Sequence, residues 1–154
     1  MRPWPLVREL LSYWLPPFLG VTAILVFSGD LGASPRTLNL VRLLLSWVPY
    51  LRPADLEVIN TALRKGGYVL SYGVLFFLWF RAFRGHRGYG RGLALLCSLA
   101  WCLAVAAMDE GHQFLVASRT GSLRDVSLDL AGSTLGAVLT LGCWSPRLRA
   151  SWGE

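Results

Sequence analysis

The chain has 154 residues, 54% of them hydrophobic and only 16% charged, against ~25% charged in a typical soluble domain, and its mean hydropathy is +0.47. That balance excludes an ordinary water-soluble domain, and the length suits one membrane domain spanning residues 1–154. The net charge of +6 does not argue for nucleic acid, because the basic residues are scattered between apolar runs and form no stripe.

In chain order, Arg2 and Arg8 precede an apolar run read as a first transmembrane helix over residues 10–28. A cleaved signal peptide is the competing reading, but a cut near Ala33 would have Leu31 ahead of it, a poor small-residue pattern. Pro16 and Pro17 each lack an amide donor, which predicts a kink or a late helix start there. Turn residues Gly29, Asp30, Gly32, Ser34 and Pro35 follow. Next come two amphipathic pieces, Thr37 to Val48 and Ala54 to Lys65, each too short for the ~20 residues of a span. With Pro53 at the entrance of the second, and Trp47 and Tyr50 suited to the boundary of membrane and water, this stretch is expected to lie at the outer interface.

A second span is predicted over 68–84 and ends in a glycine- and arginine-rich turn. A third, over 93–109, leads into the polar motif Asp109-Glu110-Gly111-His112-Gln113-Phe114. The fourth, over 126–144, carries Gly132 and Gly136 at the spacing that lets membrane helices approach closely. The fold expected is therefore an all-α membrane bundle of four spans with an interfacial segment between the first and second. Cys97, Cys102 and Cys143 fall inside spans without zinc-like spacing and read as apolar fillers.

Charge orients this bundle. The amino terminus, the turn from Arg81 to Arg91 and the carboxyl tail hold eight basic residues against Glu9 and Glu154, whereas the remaining loops, taken with Asp129, balance to zero. The positive-inside rule then puts both termini in the cytoplasm and the Asp109 motif on the extracytoplasmic side of the cell membrane.

Within that motif, helical geometry places Asp109 on one face with His112 and Gln113, at offsets of three and four. Glu110 points about 100° away. An Asp one turn from His112 can fix its tautomer and raise its basicity, making it a candidate general base. Asp125 and Asp129 follow one turn apart, and a carboxylate at membrane depth is a functional candidate by default. Ser122, three residues before Asp125, reads as a helix cap in preference to a nucleophile.

These residues resemble the VanZ-like family, a small helical membrane domain with a D-E-x-H-Q-F signature, a short loop with R and S, and then D-V-x-x-N-x-x-G. The matching positions are Asp109, Glu110, His112, Gln113, Phe114, Arg119, Ser122, Asp125, Val126 and Gly132, with Asp129 where the family has Asn. An upstream family element, roughly R-K-x-x-H-x-x-E-Y, is met by Arg64, Lys65 and Tyr72, whereas Tyr68 replaces the His and Ser71 the Glu. Phe27-Ser28 resembles the start of the family's F-S-S. The resemblance implies a cell-envelope role associated with glycopeptide (teicoplanin) resistance and assigns no reaction or cofactor.

Two functional readings stand side by side. In one, a membrane enzyme acts on a lipid-linked or wall-precursor headgroup, with Asp109, Glu110, His112 and Asp125 as catalytic candidates and Gln113, Arg119, Asp129, Arg64 and Tyr72 binding the substrate. In the other, the same residues form an ion-paired network in a non-catalytic membrane binder that engages an anionic lipid or a partner protein. A variant of the first places a divalent metal on Asp109, Glu110, His112 and Asp125, for which one His is thin support.

Overall fold

The computed structural model describes residues 4–28, 34–115 and 123–143. They form five helices and, among the described residues, no strand: α1 (Trp4–Ser28), α2 (Ser34–Leu44), α3 (Pro53–Gly85), α4 (Arg91–Leu115) and α5 (Leu123–Cys143). Val7–Ser28, Pro53–Gly85 and Arg91–Gly111 are long and apolar enough to cross a membrane. Helix α5 has 21 residues and carries Asp125 in its first turn.

Helix α1 runs through Pro16 and Pro17 without a late start, and Pro17 is fully buried. The larger departure from the sequence reading is α3. The amphipathic stretch 54–65 is not a separate interfacial piece but the first turns of one 33-residue helix, roughly 50 Å long at 1.5 Å per residue. Its start is well specified. Pro53 occupies the first helical position, where no amide donor is needed, and the Arg52 backbone N–H donates to Asp55 Oδ2 at 3.0 Å. The helix then passes Gly66 and Gly67, since an interior glycine costs only ~1 kcal/mol.

Helix α3 is the axis of the molecule, with α1, α2, α4 and α5 all packed on it. Tyr72, Leu75, Phe76, Trp79, Phe80 and Phe83 recur at helical spacing and form its buried stripe. Cys102, Val105 and Ala106 of α4 and Ala137 of α5 close the core around it. Trp79 stacks on Trp101 of α4 with ring centroids 4.8 Å apart, and Trp14 of α1 meets Phe83 edge-on at 5.5 Å. Outward-facing residues such as Leu19, Leu70, Leu96 and Val138 are exposed, the expected surface of helices bathed in lipid.

The closest helix contact is between α3 and α5. A side chain at Gly136 would have its Cβ 2.6 Å from the Gly73 carbonyl oxygen and 2.8 Å from Gly73 Cα, and Gly132 lies as tightly against Val69. Only glycine lets the two backbones sit this close. At the far end of α3, Gly88 takes a positive φ of 66° and Arg84 Nη1 donates to the Tyr89 carbonyl at 2.9 Å, closing the turn into α4. Near its beginning, buried Asn60 donates to the carbonyl and Oγ of Ser34, both at 3.4 Å, which tethers α2.

Candidate functional site

The site is built outward from Gln113. Helix α4 continues without a break from its apolar run through Asp109 to Leu115, so Asp109 and Gln113 face the same way one turn apart. Gln113 Nε2 donates to Asp109 Oδ2 at 2.9 Å and to Ser28 Oγ of α1 at 2.8 Å. An amide nitrogen has two hydrogens, and both are used here. All three side chains are buried, Asp109 to 1% exposure.

Helices α3 and α5 complete the cluster. Asp129 of α5, at 2% exposure, lies within electrostatic range of Asp109, Glu110 and Asp125 and stands beside the phenol of Tyr72. That last pair interacts without reaching full hydrogen-bonding geometry: Tyr72 Oη and Asp129 Oδ1 are buried with no such partner among the described residues. Ser133, one turn further along α5, donates to the Asp129 carbonyl at 2.9 Å. Four helices thus bring Ser28, Tyr72, Asp109 with Gln113, and Asp129 to one buried locus. Gathering carboxylates in this way is costly unless donors or cations offset it.

Ser28 also lines an open cavity of about 180 Å³ bordered by the end of α1, by Thr37 of α2 and by Arg64, Tyr68 and Ser71 of α3. Hydroxyls and one guanidinium therefore face this space, with Gln113 and Asp109 behind its wall. Arg64 is half-buried and, among the described residues, makes no ion pair. A second, open cleft of about 470 Å³ between α3 and α5 is lined by Lys65, Asp125, Ser127 and Leu128.

Of the residues singled out in the sequence, Asp109, Glu110, Gln113, Tyr72 and Asp129 come together in the interior. Asp125 stands at the α3–α5 cleft, half-buried. Arg64 belongs to the separate cavity and neutralises no described carboxylate. His112 is on α4, but its side chain, like Arg119 and Ser122, lies outside the described residues. Among the described residues no group of three or more His, Cys, Asp or Glu is set to hold a metal ion, so they lend the metal variant no support. Ser28 was not among the site candidates. Its signal was present in the Phe27-Ser28 pair, a hydroxyl closing an otherwise apolar run.

Three apolar helices around a buried polar cluster define a helical membrane protein. More specifically, the VanZ/LLP1 family profile matches residues 17–144, and the chain belongs to that family. No curated protein and no solved structure matches it.

Proposed function

We propose that this is a four-span cell-membrane protein, both termini cytoplasmic, whose polar site at the extracytoplasmic end binds the anionic headgroup of a lipid or lipid-linked wall precursor. In this reading α5 is the fourth crossing, and the balance of basic residues sets the orientation. The observation that carries it is the Arg64 cavity: a guanidinium with no described counter-ion, among hydroxyls, backed by the Ser28–Gln113–Asp109 chain. A planar fork of donors suits a phosphate or carboxylate, and a half-buried site strengthens the attraction.

Binding is favoured over catalysis by where the acids sit. The described lining of the cavity has no carboxylate or imidazole, and the Asp109 carboxylate is held by an internal donor. A role in glycopeptide resistance follows as the cellular consequence of occupying a wall-precursor headgroup.

Complementation of a deletion strain tests this, scoring folded yield and resistance to teicoplanin. Arg64→Gln is expected to fold and lose resistance; full resistance would overturn the headgroup reading. Full resistance from a stably folded His112→Ala protein would remove the remaining case for acid–base chemistry.

A further inference from the structure

The Arg64 cavity shares part of its wall with a second space. Ile24, Phe27 and Ser71 line it and also line an apolar groove of about 370 Å³ that runs along the seam between α1 and α3. Beyond those shared residues the groove is walled by Ala23 of α1 and by Leu70, Leu75 and Leu78 of α3, and Gly20 contributes no side chain to it. Ser71, at the junction, is the one polar residue in its described lining. A polar pocket thus adjoins a hydrocarbon trough across three shared residues.

The surroundings restrict what can occupy such a trough. It lies between two helices apolar enough to span a bilayer, and Phe27 and Leu70 on its rim are 66% and 69% exposed, so hydrocarbon chains are what it meets. A gap of this size left empty would forfeit dispersion contacts on every lining atom. An occupant that satisfies both compartments has an anionic head for Arg64 and a long apolar tail.

We infer that the α1–α3 seam is a lipid site, in which one hydrocarbon chain of a phosphate-bearing membrane lipid lies in the apolar groove while its head occupies the Arg64 cavity. This rests on the headgroup reading above and adds the tail. The α3–α5 side is the natural rival, since it has an apolar groove of about 410 Å³ along Gly73 and Gly136. That groove shares no described lining residue with the Arg64 cavity, so the α1–α3 groove is the one that adjoins the head.

The test uses the full-length protein purified in a maltoside detergent, with bound phosphatidylglycerol counted by native mass spectrometry and inorganic phosphate as the competing head without a tail. Arg64→Gln and Ala23→Trp, which fills the groove, are each expected to weaken phosphatidylglycerol binding about tenfold or more. Phosphate alone at millimolar concentration is expected to displace little. If Ala23→Trp binds as well as wild type and phosphate displaces the lipid, the groove assignment is overturned while the headgroup reading stands. If Ala23→Trp weakens binding and Arg64→Gln does not, the headgroup reading falls, and this proposal with it. Unchanged binding in both variants overturns both. Should Ala23→Trp fail to fold, photo-crosslinking of wild type with a diazirine-tailed phosphatidylglycerol decides the matter: adducts on residues 20–27 and 70–78 are expected, and adducts spread evenly over α4 would overturn the groove.

Discussion

Gln113 donates a 2.8 Å hydrogen bond to Ser28, a residue 85 positions away in the chain, and so locks the end of α1 to the end of α4. The same nitrogen holds Asp109. Gln113→Leu removes both bonds and withdraws a donor from a buried carboxylate, which should cost ~1–3 kcal/mol. Ser28→Ala removes one bond between neutral groups, for which membrane proteins average ~0.6 kcal/mol. Thermal unfolding in detergent should rank the two in that order. Equal losses would show that the Ser28 bond carries the whole effect.

The α3–α5 crossing gives a sharper expectation. Gly132→Leu and Gly136→Leu each drive a branched side chain into backbone atoms of Val69 or Gly73 that cannot move aside. Either should cost a few kcal/mol and much of the folded yield. Gly142→Leu, at a position with nothing within 4 Å, is the control and should unfold at the wild-type temperature.

Asp129→Asn keeps the shape of the side chain while removing one of several acids within electrostatic range of one another. Thermal stability should hold or rise, because the amide still offers an oxygen toward Tyr72 without repelling Asp109. Asp129→Leu should lose stability, since it takes the α5 carboxylate away from the buried phenol. A clear drop for the Asn variant would mean that a cation balances this charge in the folded protein.

Reporter fusions check the orientation. A cytoplasmic reporter inserted at Gly88, in the turn between α3 and α4, should be active, and one inserted between α2 and α3 near Pro49 should be silent. The reverse pattern would invert the bundle and place the Arg64 cavity on the cytoplasmic side.

Within one helix, the sequence alone carried the argument far. Apolar run lengths located α1, α4 and the body of α3, and an offset of four residues put Asp109 and Gln113 on one face, as their hydrogen bond shows. The spacing of Gly132 and Gly136 likewise marked a close helix contact. These relations are local, set by 3.6 residues per turn, and need no knowledge of the rest of the chain. The same local signal misled at Lys65 to Gly67, where hydropathy falls and two glycines interrupt the pattern, yet α3 runs on without a break. A helical backbone satisfies its own polar groups, which outweighs a weak propensity near lipid.

What only the tertiary structure decided is how each helix is rotated about its axis and which neighbour it meets. That rotation paired Gln113 with Ser28, laid Gly132 and Gly136 against Val69 and Gly73, and turned Arg64 away from the acids toward α1 and α2. Such choices follow from side-chain packing between segments distant in the chain, and a periodicity read along one segment holds no information about the face of another.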